Sequence, residues 1–390
     1  MPITLTGGAT LTGGAKMGTG GAPSPTPGGG GFQGTISGYA SGGASTPGAK
    51  ETAIQKYSFT SDGNASNIGN LTVGRNALAG QSSSVSGYST GGAGPGGWTN
   101  IIDKFPFANE GNATDVGDLI VSIVNHTGQS SSENGYSTGG NLGAPTYVKS
   151  SNIEKFSFSS DGNASNVASL DAGVDQPSGQ SSTDNGYVSG GSGSPRGQIV
   201  IQKFPFASED DATDIGDLTR SVETPMGQSS TVSGYASGGS PGGTGQTTID
   251  KFPFATDSNA TDVADLFQGA RYGSGSSSTV SGYVAGTDSP VNNTIQKFSF
   301  ASDQNGTDVG DLATAVASLS GQSSSTNGYT SGGGIVNSGT GFNIIQKFAF
   351  STDGNATDVG DLLSIVVDGS GQSSGTSGYA SGSQRPAYSN

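Results

Sequence analysis

The sequence predicts an all-β fold: a seven-bladed β-propeller with four antiparallel strands per blade, preceded by an extended N-terminal arm. Three observations predict it. A Gly-Tyr pair recurs eight times, at Tyr39, Tyr88, Tyr136, Tyr187, Tyr235, Tyr283, Tyr329 and Tyr379, at intervals of 46 to 51 residues. Three other boxes recur seven times each: "GQSS" (first at Gly80), "IxKFxF" (first at Ile54) and "TDVGDL" (first as a variant at Ser66). Finally, three spacings inside the unit never change. The repeat lysine precedes the first Asp position of "TDVGDL" by 11 residues, the Leu of that box precedes the next Gly box by nine, and that Gly precedes the Gly before Tyr by seven. Self-similarity at this period marks a fold of stacked repeats, and four short strands per repeat fit propeller blades.

Residues 1–31 lie outside the repeat. They are rich in Gly, Thr and Pro with Lys16 as the only charged side chain, a composition that cannot bury a core of its own. The repeats span 32–384, and 385–390 form a short C-terminal tail. With Gly 70 and Pro 16 in 390 residues, composition alone would permit low complexity, but a linker has no reason to hold three lengths fixed.

Each strand has its own signature. "GQSSSxxS" is small and uncharged, which suits the crowded innermost strand. Asn-Gly before Tyr, as at Asn134-Gly135, predicts a type I′ hairpin into the second strand "YxSGG". "IxKFxF" is the third strand, with Phe and Ile filling the wider outer gaps. "SDGNATD" is a polar turn, and "VGDL" begins the fourth strand. Only the second-to-third segment changes length, from 12 to 17 residues between Tyr and Ile. Strand alternation puts it on the same side as the fourth-to-first connection, so one variable face is expected to carry partner contacts. The last Gly box, at Gly371, has no third or fourth strand after it. It is expected to complete the N-terminal blade, leaving Tyr39 and Tyr379 as two candidates for one second strand.

The double glycines Gly91-Gly92, Gly139-Gly140, Gly190-Gly191, Gly238-Gly239 and Gly332-Gly333, each followed by a strand of the "KFPFASD" type, resemble the kelch repeat. The resemblance covers roughly residues 32 to 384 and implies a propeller. Kelch repeats usually carry a Trp in the last strand where this chain has Val or Ile, so kelch partner choice is not implied. The wording "IDKFPFATDSNATDVADL…GSSSTVSGY" also resembles repeats in virion proteins of marine tailed phages. That resemblance implies a virion component of tail, neck or capsid exterior, assembled in the host cytoplasm and bound to other virion proteins through residues 1–31 and one propeller face. The rival expectation is a carbohydrate-binding adhesin with a host-surface glycan as partner.

Composition narrows the function classes. The net charge of -15 repels phosphate backbones, so nucleic acid is not an expected partner. Absence of cysteine removes thiolate metal sites, disulfides and a cysteine nucleophile. No cofactor or metal is expected, and with one histidine, His126, no His-based triad is recognisable. The start of the sequence lacks the regions of a signal peptide, and no membrane-length apolar run occurs. Neither secretion by that route nor membrane insertion is expected.

The binding candidates on the variable face are Trp98, Tyr147, Arg196, Arg220 and Arg271. The repeat lysines Lys56, Lys104, Lys155, Lys203, Lys251, Lys297 and Lys347 are expected to be structural, each pairing within its blade with the Asp of "TDVGDL". In the first and third copies that position is Asn67 and Asn166. The "DGNAS" and "DGNAT" runs at Asp62, Asp161 and Asp353 read as turns, because no EF-hand spacing is present.

Overall fold

The computed structural model describes residues 36–46, 49–143, 148–193, 198–288, 290–335 and 340–374. It is all-β and contains seven four-stranded antiparallel sheets. The second sheet shows the plan. Ala79–Ser82 pairs with Ser86–Thr90, which pairs with Ile101–Pro106, which pairs with Thr114–Asp118. The third to seventh sheets repeat this order around their tyrosine strands Asn134–Thr138, Asn185–Ser189, Ser233–Ser237, Ser281–Asp288 and Asn327–Ser331.

The first sheet is assembled from both ends of the chain, as expected. Ser370–Ser374 pairs with Ser37–Ser41, which pairs with Ala53–Ser58 and then Ser66–Asn70. Tyr39 therefore holds the second-strand position, with Gln372 on one side and Lys56 on the other. Tyr379, like the arm, lies outside the described residues.

The opening strand of each sheet touches the opening strand of the next, and the series returns from Ser370–Ser374 to Ala79–Ser82. This close approach explains "GQSS". A Cβ on Gly128 would lie 2.5 Å from the Gly80 carbonyl oxygen, and one on Gly275 would lie 2.7 Å from that of Gly227. Such contacts leave room for no side chain at the glycine of the box.

The Asn-Gly hairpin expectation is corrected. Asn134 and Gly135 belong to the strand, and neither has positive φ. The turn lies just before them: Ser131 Oγ accepts from the backbone N–H of Glu133 and Asn134, a serine turn. Glycine precedes each tyrosine for another reason. A Cβ at Gly87, Gly135, Gly186, Gly234, Gly282 or Gly328 would meet the Phe ring of the neighbouring third strand at 2.2–2.4 Å.

Apolar side chains pack between successive sheets. Tyr88, Ile102, Leu119 and Ile123 of the second sheet and its outgoing connection meet Phe156 and Ala164 of the third. The same grouping joins the seventh sheet to the first, where Tyr329, Ile345 and Val359 meet Tyr57 and Ala65. Each tyrosine stacks on a Phe of the next sheet, as Tyr136 does on Phe206 with centroids 5.0 Å apart. The fourth strands lie at sheet edges and carry the exposed Thr-Asp pairs of "TDVGDL". Charge along an exposed edge discourages pairing with other chains.

Candidate functional site

Functional weight falls on two regions, the seams between sheets and the face formed by the variable loops. At the seams the lysine expectation is overturned. All seven repeat lysines pair across a seam, with the acid in the third-to-fourth turn of the next sheet. The pairs are Lys56–Glu110 (3.5 Å), Lys104–Asp161 (2.7 Å), Lys155–Glu209 (2.6 Å), Lys203–Asp257 (2.5 Å), Lys251–Asp303 (2.9 Å), Lys297–Asp353 (2.9 Å) and Lys347–Asp62. The Asp of "TDVGDL" is already occupied: Asp115 accepts from its own Gly117 N–H, and the same contact recurs at Asp214, Asp308 and Asp358. The hydrogen bond that Lys297 donates to the Asp353 carboxylate holds its ammonium above its ordinary range.

The turn asparagines act at the same seams. Asn112, Asn163, Asn259, Asn305, Asn355 and Asn64 each accept a backbone N–H from the fourth strand of the preceding sheet, and Asp211 does so at the remaining seam. The run "DGNAT" is thus a turn that supplies two cross-seam contacts, one to lysine and one to backbone.

A third seam contact was not foreseen. The residue before each repeat lysine is Gln55, Asp103, Glu154, Gln202, Asp250, Gln296 or Gln346, and all seven are buried. Each accepts a backbone N–H from one or two residues past the Leu of "TDVGDL" in the preceding sheet: Thr72, Ile120, Asp171, Thr219, Gln268, Thr314 and Leu363 are the donors. The signal was available, since only side chains with a carbonyl or carboxyl oxygen occur at this position.

A fourth contact is the glutamine of the Gly box. Gln81, Gln129, Gln180, Gln228 and Gln322 donate Nε2 to the backbone oxygen of Tyr136, Tyr187, Tyr235, Tyr283 and Tyr39 in the next sheet. The sixth box has Ser276 instead.

On the loop side, the fourth-to-first connections and the second-to-third loops meet through backbone pairs. Asn76 donates to Ala93 O at 3.1 Å, Glu223 to Ser240 O at 2.8 Å and Ala317 to Gly334 O at 3.0 Å. The two kinds of loop therefore share one side, as expected. Each connection holds one non-glycine residue in left-handed backbone geometry: Ala77, Asn125, Gln176, Thr224, Tyr272, Ser318 and Asp368, with φ of 53–56°. Five of their N–H groups bond the carbonyl of the counterpart in the preceding connection, among them Asn125 to Ala77 O and Ala77 to Asp368 O. This contact compensates a conformation that is costly for side chains with a Cβ.

The candidate binding residues divide. Trp98 is half-buried against Ala77, Ala93 and Val124, so it packs into the loop layer. Arg220 is half-buried and donates Nη2 to the Gly238 and Thr248 carbonyls; burial holds its guanidinium below the usual range. Arg271 pairs with Asp288 at 2.6 Å and lies over the Tyr272 ring. These three are engaged within the chain. Tyr147 and Arg196 lie outside the described residues. Of the exposed apolar residues of this side, Ile120, Phe267 and Leu363 follow the Leu of "TDVGDL", while Val148 and Ile199 lie in second-to-third loops; none had been singled out.

Burial moves one histidine and two acids away from ordinary titration. Burial, followed by the Arg75 charge, lowers the His126 pKa to about 3; its Nε2 lies 3.1 Å from Thr90 Oγ1. Burial also raises the Glu154 and Asp250 carboxyls. Among the described residues no three His, Cys, Asp or Glu side chains are grouped to hold a metal ion, and no helix is long and apolar enough to cross a membrane. No known family model matches the chain, and no curated protein matches its sequence.

Proposed function

We propose that the chain is a closed seven-bladed β-propeller serving as a rigid, non-enzymatic interaction module of a large assembly. The assembly its repeat wording points to is the virion of a tailed phage. In this reading the N-terminal arm is the attachment device and the loop side is the working face. The observation that carries the reading is the use of one set of seam contacts at the join between the seventh and first sheets as well as at the joins between sequence neighbours. Lys347–Asp62, Asn64 to the Asp361 N–H, and Gln322 to Tyr39 O occupy that join. Repeated polar side chains are committed to holding sheets together, which suits a scaffold whose variation is confined to its loops.

The arm carries one charge and many glycines, so it can run extended along a neighbour and offer backbone hydrogen bonds. Ordering it costs roughly 1 kcal/mol or more per residue, which only an extensive contact offsets. Deleting residues 2–30 is expected to leave the β-rich circular dichroism spectrum and thermal midpoint unchanged while abolishing incorporation into particles. Normal incorporation of the truncated chain would refute the attachment role and favour a free carbohydrate-binding adhesin.

A further inference from the structure

One position in the hairpin between opening and second strands varies, and its variation is ordered around the molecule. The position lies three residues before each tyrosine. In the second to seventh sheets it holds Val85, Glu133, Asp184, Val232, Val280 and Thr326, and in the first it holds Ile36. The six hairpins share one turn. In each, the backbone N–H of this residue donates to the Oγ of the serine two before it, at 3.2–3.3 Å. The turn accepts valine, threonine and two acids alike, so it does not select among them. A turn in water favours polar side chains. Yet Val85, Val232 and Val280, 64–66% exposed, are the most exposed large apolar side chains among the described residues, and Ile36 is 61% exposed.

Successive opening strands touch, so their hairpins stand side by side, on the side opposite the variable loops. In the order of contact, the fifth, sixth, seventh, first and second sheets present Val232, Val280, Thr326, Ile36 and Val85. These form an uncharged arc with four apolar members. The third and fourth sheets present Glu133 and Asp184, both exposed. The same sector is acidic farther out. In the third-to-fourth turn of the fourth sheet, Asp210 and Asp211 stand where every other sheet has Gly, Ser or Gln followed by Asn. Asp210 accepts from the Ser208 hydroxyl and Asp211 from the Ser169 N–H. The repeat lysines of this sector, Lys155 and Lys203, are taken by Glu209 and Asp257. Single exposed valines are ordinary on a protein surface, whereas apolar side chains gathered on one arc mark a contact.

We propose that the hairpin side is a second docking face, for a protein segment that presents apolar side chains beside lysine or arginine. The arc supplies apolar burial. The cations of the partner meet Glu133, Asp184 and the acids beyond them. The two sectors together fix how the partner is turned on a scaffold that otherwise repeats itself from sheet to sheet. A second copy of the chain is the wrong chemistry, because it brings the same acids and a net charge of -15. The inference depends neither on the arm nor on the virion reading.

The test selects binders to the full-length chain from a displayed library of random peptides. Two double variants each remove one sector: Val232→Thr with Val280→Thr, and Glu133→Thr with Asp184→Thr. Thr326 is the precedent at this position. Phe267→Thr removes an exposed apolar side chain of the loop side as a control. All these side chains are exposed, so thermal midpoints should stay unchanged. Selected peptides should combine Leu, Ile, Val or Phe with Lys or Arg. They should bind each double variant roughly tenfold more weakly and Phe267→Thr as well as the unaltered chain. High salt should shrink the deficit of the acid variant and leave that of the valine variant in place. Peptides without basic residues, peptides indifferent to both double variants, or no binders at all would overturn the docking face. Sedimentation checks the other occupant: the unaltered chain should be monomeric, and a dimer abolished by the valine changes would assign the face to a second copy instead.

Discussion

The seams on either side of the second sheet use one repeat position in two ways. Between the first and second sheets, Asp103 accepts from Thr72 and also meets Arg75 at 2.6 Å, with both side chains fully buried. Arg75 spends its other donors on the carbonyls of Gly91, Val73 and Ser89. Between the second and third sheets, Glu154 accepts from the Ile120 N–H and from Asn152 Nδ2, and Ile123 stands at the repeat position of Arg75. Burial raises the Glu154 carboxyl. One acid is thus half of a completed pair, whereas the other does the work of an amide while bearing a charge. In four repeats glutamine does that work. What the two seams share is an oxygen acceptor for the backbone N–H of the preceding sheet; only one of them supplies a cation beside it.

The largest expected effect comes from breaking the complete pair. Asp103→Asn should cost about 3–5 kcal/mol, because Arg75 would be left buried without a counter-charge. Arg75→Met with Asp103→Asn should recover much of that loss, because Asn keeps an oxygen acceptor for Thr72 while no charge is left buried; urea titration of the single and double variants decides it. Near-additive losses would show that Arg75 acts mainly through its three carbonyl contacts.

Acid sensitivity at His126 is the next largest. Its folded pKa is lowered from 6.5 to about 3, so the unfolded chain takes up the proton first. Stability should fall as pH drops from the unfolded toward the folded value, by up to about 1.4 kcal/mol per pH unit. His126→Leu, with Leu78 and Leu319 as precedents at that repeat position, should flatten the stability–pH curve in this window. An unchanged slope would assign the acid loss to other groups.

A smaller gain is expected at the sixth box. Where glutamine is present it also bonds a hydroxyl on its own second strand, as Gln129 does with Thr138 and Gln228 with Ser237. In the sixth sheet both partners are missing together, with Ser276 and Ala285 in their places. Ser276→Gln with Ala285→Ser should add about 1–2 kcal/mol, more than either change alone, by creating hydrogen bonds of about 1 kcal/mol each. Equal single and double effects in thermal melts would mean that the clamp does not form.

The smallest effect sharpens the opening contrast. Glu154→Gln should stabilise by about 1 kcal/mol at neutral pH by removing the cost of a buried charge. A raised folded pKa contributes stability that is present below the unfolded value and lost as pH rises through the folded value. The advantage of glutamine should therefore shrink toward acid pH. Stability measured at acid and neutral pH checks both size and sign; a gain independent of pH would point to packing.

The sequence by itself determined the all-β class, the strand order within a sheet and the completion of the N-terminal sheet by the C-terminal Gly box. These follow from local pattern: period-two strands, fixed connection lengths and a count of boxes. It also placed both variable connections on one side, because alternating strands leave no other choice. Only the tertiary structure decided partners. The repeat lysine could reach an acid on either side, and the Asp of "TDVGDL" had already been taken by its own backbone. Asn-Gly looked like a turn because local propensity favours it, yet packing against a Phe ring in the adjacent strand was what required the glycine. Likewise Arg220 and Arg271 read as free cations because sequence records charge and omits the carbonyls and carboxylate that a fold brings to it. Spacing fixes what lies beside a residue along its own strand, whereas a contact across a seam depends on how sheets approach, and no interval along the chain encodes that.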